Sequence, residues 1–242
     1  MIVRKLLPTD WPRLEYYARK IRKLTVQNFE SRATVHKSFF IALATYRPVR
    51  NPFQNLQQII MGLPHSLAYK SAPYMDFLLG PNISRVVIGV GPLLPELSHV
   101  SLLLPSVPRL CPNLQGLYVN TRLPNNLDFE RAVFQSICSL HSLRTLYLGT
   151  LKPPDGMIGH VLHHLRSMTS LEALYLLYIP TEIQALGEPD LIPSPFGMVN
   201  HGFPKLRNLS LNLQDFNSVA LVMDSMHLPF RSLAFYLKGQ PS

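Results

Sequence analysis

One apolar rhythm recurs along the chain. An aliphatic or aromatic residue is followed by two variable positions, an apolar residue, one variable position and a second apolar residue. It runs as Ile21-RK-Leu24-T-Val26, Leu56-QQ-Ile59-I-Met61, Ile83-SR-Val86-V-Ile88 and Leu114-QG-Leu117-Y-Val119. It continues as Leu143-RT-Leu146-Y-Leu148, Leu171-EA-Leu174-Y-Leu176, Leu206-RN-Leu209-S-Leu211 and Phe230-RS-Leu233-A-Phe235. The closing pair of apolar positions is spaced by two, the period of a short strand with one buried face, and the first apolar residue packs the turn leading in. Successive segments start 35, 27, 31, 29, 28, 35 and 24 residues apart.

Between these segments the period becomes helical. "DFERAVFQSICSL" sets Phe129, Val133, Ile137 and Leu140 on one stripe. "GMIGHVLHHLRSM" does the same with Ile158, Val161, Leu162, Leu165 and Met168, and "SVALVMDSM" with Val219, Val222, Met223 and Met226. Strand, loop, helix and loop repeating in phase predict an α/β fold, a right-handed solenoid with a curved parallel sheet inside and helices outside. The residue between the two core positions of each strand then points to the concave face.

The chain enters this pattern through "LLPTDWPRLEYYARKIRKLTV". Asp10 or Thr9 stands where a helix would be capped, and Pro12 falls in the first turn, where its missing N–H costs nothing. Trp11, Leu14, Ala18 and Ile21 share one helical face, with Tyr17 beside them. Residues 9–23 are therefore expected to form a basic N-terminal helix that covers the open end of the core, as the first half-repeat.

The segments "LCPNLQGLYV" (110–119), "SLRTLYL" (142–148) and "SLEALYL" (170–176) resemble the repeat of leucine-rich-repeat proteins. The resemblance covers almost the whole chain and implies a single leucine-rich-repeat domain over residues 1–242, of about eight repeats. The asparagine ladder of many such proteins is mostly missing from the pattern, with Asn120 approximating one rung. "LLPTDWPRLEYYARKIRKL" is similar to the junction that follows the F-box in fungal F-box leucine-rich-repeat proteins, with its Asp-Trp, aromatic-Ala pair and basic run. That resemblance implies the substrate-recognition region of a Skp–cullin–F-box ubiquitin ligase. The F-box, placed upstream in such proteins, is not legible in these residues, so a Skp-type adaptor is expected as a partner only if an F-box precedes them.

Composition sharpens this picture at three points. The 22 prolines recur between apolar runs, as firm turns joining short elements would require. The two cysteines, Cys111 and Cys138, form no CxxC pair and read as core thiols in a reduced, intracellular protein, cytoplasmic or nuclear. The start carries no apolar run suited to a signal peptide, and no stretch approaches the ~20 apolar residues of a membrane span.

The net charge of +9 is concentrated at one end. Residues 1–50 hold 11 Lys and Arg against 3 Asp and Glu, while the other 192 hold 12 against 11. Arg13, Arg19, Lys20, Arg22 and Lys23 form a basic face on the first helix. Nucleic-acid sites interleave such charge with exposed aromatics, and the aromatics here are assigned to the buried face. A solvated helix face, or a surface for a neighbouring module, is the preferred reading over nucleic acid.

Candidate chemistry is sparse. His160 and His164 stand four apart on a predicted helix beside His163, but Val161 occupies the place where a zincin motif carries glutamate, so a polar helix face is favoured over a metal site. "GVG" at 89–91 is a strand end rather than a phosphate loop. No catalytic constellation, cofactor or metal is expected.

The stronger candidate lies on the concave face, where the mid-strand position reads Thr25, Ile60, Val87, Tyr118, Tyr147, Tyr175, Ser210 and Ala234 down the repeats. Three consecutive tyrosines, with Asn120 and Asn212 in the flanking column, fit a protein-binding patch. Tyrosine chosen for strand propensity and mutual stacking is the other reading. The proline-rich stretch 178–204 carries three acidic residues and no Lys or Arg, and is expected to be an irregular insertion near the end of that column. Together these features point to a non-catalytic protein-binding module, with a stand-alone scaffold or inhibitor, or an RNA binder using the basic helix, as alternatives.

Overall fold

The computed structural model describes residues 8–27, 52–63, 76–90, 103–121, 127–149, 151, 161, 164–165, 167–176, 203–213 and 232–237. Helix α1 (Trp11–Ala18) leads into strand β1 (Lys23–Gln27). The later strands are β2 (Gln58–Leu63), β3 (Arg85–Val90), β4 (Gly116–Thr121), β5 (Thr145–Leu148), β6 (Ala173–Leu176), β7 (Asn208–Leu213) and β8 (Ser232–Leu237). Helices α2 (Ser106–Leu110) and α3 (Leu127–Cys138) lie between β3 and β4 and between β4 and β5. All eight strands join one parallel, open sheet in chain order.

The register places the repeated motif on itself. Leu24, Ile59, Val86, Leu117, Leu146, Leu174, Leu209 and Leu233 are successive partners across the sheet. A slip of one residue would turn every core side chain to the other face, so the shared apolar pattern holds this alignment strongly. Leu117, Val119, Leu146 and Leu148 are buried in one cluster with Phe129, Val133, Phe134 and Ile137 of α3. Each fully buried aliphatic or phenyl side chain contributes about 1.5–3 kcal/mol. Val161, Leu165 and Met168 are buried in the same cluster, while Ile158, Leu162 and the stripe at 218–226 fall outside the described residues.

Five of the eight motifs begin with the same small device. The amide of the first motif residue donates to the carbonyl three residues back: Ile21 to Ala18, Leu56 to Phe53, Ile83 to Gly80, Leu114 to Cys111 and Leu206 to Phe203. The accepting residue is buried in each case. One carbonyl per repeat then accepts two consecutive amides of the next, as Arg22 does from Gln57 and Gln58, and Gln115 from Arg144 and Thr145. The connection thus satisfies backbone groups that would otherwise be costly to bury.

A polar ladder is present, which revises the sequence expectation. It sits immediately before four of the eight motifs rather than near Asn120. Asn55 donates to the Arg19 carbonyl at 2.6 Å, Asn82 to that of Gln54 at 2.7 Å and Asn113 to that of Pro81 at 3.3 Å. Ser170 takes the equivalent place, donating to the carbonyls of His141 and Leu143. Each rung ties one repeat to the one before it.

The N-terminal entry differs in two details. A 3-10 turn, Pro8–Asp10, precedes α1, so Asp10 has helical backbone angles and makes no side-chain capping bond. Trp11 and Ala18 are buried and Leu14 and Ile21 are partly so, as the stripe requires, but Tyr16 and Tyr17 are 57% and 52% exposed. An eight-residue helix packed on one side has too narrow a buried stripe to include them.

Candidate functional site: the open face of the sheet

Alternation along the strands leaves one sheet face away from the core. Its central column is Thr25, Ile60, Val87, Tyr118, Tyr147, Tyr175, Ser210 and Ala234, each the register partner of the next. Thr25 is exposed and the residues from Ile60 to Tyr175 are half-buried. Ser210 is only 5% exposed, and Ala234 beyond it is half-buried again.

The three tyrosines form a continuous stack. The rings of Tyr118 and Tyr147 have centroids 6.2 Å apart and planes 23° apart. Those of Tyr147 and Tyr175 are 6.0 Å and 42° apart. These are offset arrangements in the favourable range for aromatic pairs. Arg85 extends the stack, its guanidinium carbon 4.3 Å from the Tyr118 centroid. Gly116 makes room for both: a Cβ there would lie 3.2 Å from Tyr118 Cε2 and 3.5 Å from Arg85 Cγ. Mutual stacking and a binding patch are thus features of the same column.

Asn120 is exposed two residues along the strand from Tyr118, past the buried Val119. It lies against Gly149, where a Cβ would meet its Oδ1 at 2.7 Å and its Cα at 3.3 Å. Asn212 pairs with Tyr236 through the β7–β8 register, and its side chain is outside the described residues. Apart from Phe203 and Pro204, the stretch 178–204 is also outside them.

Arg85 is a site residue that the sequence reading missed. The tyrosine column was read straight across the strands, whereas Arg85 reaches Tyr118 diagonally from the position opposite Gly116. A long side chain facing a glycine was the available signal.

Arg13, Arg19, Lys20, Arg22 and Lys23 are all exposed. Arg19 approaches Glu15 at 4.0 Å, and Lys20 lies beside Tyr16, with Nζ 2.6 Å from the hydroxyl and 3.9 Å from the ring centroid. Exposed pairs of this kind contribute little to stability. The expectation that the aromatics of this helix turn inward holds for Trp11 and fails for Tyr16 and Tyr17.

The remaining candidates have structural surroundings. Cys111 is buried, and desolvation pushes its thiol up to about 11 against the opposing effect of a Gly80 backbone hydrogen bond. Burial also raises the half-buried Cys138 thiol. His164 Nε2 lies 3.1 Å from the Leu140 carbonyl and its ring packs edge-on against His141. His160 and His163 lie outside the described residues. Among the described residues, no three His, Cys, Asp or Glu side chains are grouped to hold a metal ion, and no helix is long and apolar enough to cross a membrane.

The open face therefore offers half-exposed rings, an arginine stacked on their end and polar side chains beside them, on a rigid sheet. In comparisons with known proteins, no family model and no curated protein matches the chain, so these residues carry the functional argument.

Proposed function

We propose that this chain is a leucine-rich-repeat solenoid of about eight repeats, right-handed, whose open sheet face is the concave surface of a non-catalytic protein-binding module. The observation that carries this reading is the stack of Tyr118, Tyr147 and Tyr175, in register on three adjacent strands and half-exposed. Tyrosine gives a large, amphipathic contact area for little rotamer entropy, which is why it is frequent at energetically dominant interface positions. A rigid sheet below holds the rings in place before a partner arrives, reducing the ordering cost of binding.

The more specific role, substrate recognition in an F-box-type ubiquitin-ligase receptor, rests on the resemblance carried by residues 6–24. A stand-alone scaffold or inhibitor would use the same face. Nucleic-acid binding through the first helix gains one supporting feature, the exposure of Tyr16 and Tyr17 beside Lys20.

The test compares neighbouring residues with opposite orientations. Leu146 is fully buried, and Leu146→Ala should destabilise the fold by about 2–5 kcal/mol through the cavity it leaves. Tyr147→Ala should weaken capture of a partner identified by crosslinking in cells while leaving a cooperative thermal transition. If Tyr147→Ala leaves that capture unchanged in folded protein, the stack is structural and the proposal fails.

A further inference from the structure

The eight strands hold only two charged residues, and both are cations. Lys23 opens β1 and Arg85 opens β3. They stand in one register column, Lys23 beside Gln58 and Gln58 beside Arg85. Lys23 is two residues before Thr25 and Arg85 two before Val87, so both share the phase of the tyrosines. Arg85 shows that phase directly, because its guanidinium lies over the Tyr118 ring. Both side chains are exposed, and neither meets a carboxylate among the described residues. Glu172, the one acid that directly precedes a strand, is three strands from β3 and lies 3.9 Å from Arg144.

The open face is therefore neutral except at one end. Two like charges on strands roughly 9.6 Å apart repel each other and do nothing to hold the sheet together. Lys23 has a structural use of its own, since a lysine on an edge strand discourages pairing with another sheet. Arg85 is on an interior strand and has no such use. Its position over Tyr118 holds the guanidinium in place, and a guanidinium held this way presents a fork of donors that matches a carboxylate.

Beside the two cations the face turns apolar. Ile60 and Val87 are half-buried two residues along β2 and β3, and the tyrosine rings follow on β4, β5 and β6. Resting on the reading of this face as a protein-binding surface, we propose that its ligand is a peptide segment in which an acidic residue lies next to an apolar stretch. The carboxylate binds at Lys23 and Arg85, and the apolar residues lie on Ile60, Val87 and the tyrosine edges. Arg85 and Tyr147 are two strands apart, roughly 9.6 Å, which an extended segment covers in about three residues.

The same features favour peptide over single-stranded nucleic acid. Two cations in the whole sheet would neutralise only about two phosphates, too few for the electrostatic term on which such binding depends. Bases bind by stacking on open aromatic faces. Here the ring faces of the tyrosines are directed at one another, and one face of Tyr118 is covered by Arg85.

A phage-displayed library of random 12-residue peptides, selected on the immobilised full chain, tests this. Selected peptides should carry Asp or Glu within about three residues of an aromatic or branched aliphatic residue. Fluorescence anisotropy then compares one selected peptide with its copy in which the acid is changed to the amide. That change should weaken binding to the parent about tenfold, and binding to Lys23→Gln/Arg85→Gln by less than about twofold, which assigns the acid to these two cations. Arg85→Lys keeps the charge but not the fork, and should recover only part of the affinity. Circular dichroism melts confirm that the variants fold.

An equal loss from the amide change in the parent and the double variant would overturn the assignment to Lys23 and Arg85. Selected peptides without an acid, all weakened by Tyr147→Ala, would overturn the acidic ligand while leaving the protein-binding face intact. Tighter binding by a 12-nucleotide uridine RNA than by any selected peptide would overturn the ligand class. Selection of no peptide would overturn this inference, and the protein-binding reading would then be decided separately by crosslinking with Tyr147→Ala.

Discussion

Gly149 gives a sharp test of how tightly adjacent repeats are fitted on the open face. It follows β5, donates its amide to the Val119 carbonyl at 2.8 Å, and lies against Asn120 of β4. An added Cβ would meet Asn120 Oδ1 at 2.7 Å, its Cα at 3.3 Å and its Cγ at 3.5 Å. The first clash is with the tip of an exposed side chain and can be cleared by rotation. The second is with backbone held in the sheet, so β4 and β5 must part by a few tenths of an ångström. Two effects of Gly149→Ala therefore oppose each other. The unfolded chain loses conformational freedom, which favours folding by about 0.4–1 kcal/mol. Crowding of a packed contact costs about 1–3 kcal/mol. The backbone contact decides the sign, and a net loss of about 1 kcal/mol is expected, or a fall in melting temperature of about 2–4 °C for a chain of this size. Asn120→Ala removes the Oδ1 and Cγ contacts, so in that background the loss should shrink by at least about 0.5 kcal/mol, the coupling expected of residues in contact. Urea unfolding of the four proteins in the cycle measures it. A Gly149→Ala protein as stable as the parent in both backgrounds would refute the close approach, and with it the view that glycine is required at this position.

Two further outcomes follow from single groups. The Cys111 thiol, raised to about 11 by burial, should resist iodoacetamide at pH 8 in the folded protein and react once unfolded. Because its folded pKa exceeds the unfolded value, the unfolded state loses its proton first, so stability should fall by roughly 2–3 kcal/mol between about pH 9 and 11; a Cys111→Ala protein showing the same fall would contradict this. The Asn82 rung, donating to the Gln54 carbonyl at 2.7 Å, should contribute about 0.5–1.5 kcal/mol, and an Asn82→Ala protein with an unchanged denaturation midpoint would remove the ladder from the stabilising interactions.

The sequence by itself determined the sheet. The motif's closing apolar pair states which face of a strand is buried, and its eight repetitions must align because any slip would expose the buried pair. The tyrosine column followed from the same rule, since three equivalent positions on successive strands have to be neighbours. Helix α3 was legible for a similar reason: Phe129, Val133 and Ile137 set a helical period within a segment long enough to show it.

What the tertiary structure decided were contacts that cross from one repeat to another at a different position in the motif. Asn55, Asn82, Asn113 and Ser170 stand in phase before their motifs, but the carbonyls they reach belong to the preceding repeat, at least 27 residues away. Arg85 meets Tyr118 only because Gly116 leaves the space between them empty. Tyr16 and Tyr17 carry ring chemistry suited to either side of a helix, and only the packing of Trp11 and Ala18 turned them outward. Periodicity encodes which side of an element faces the core, a property local in sequence. Which atoms meet across repeats depends on the register and on the spaces left between side chains, and those exist only once the sheet has formed.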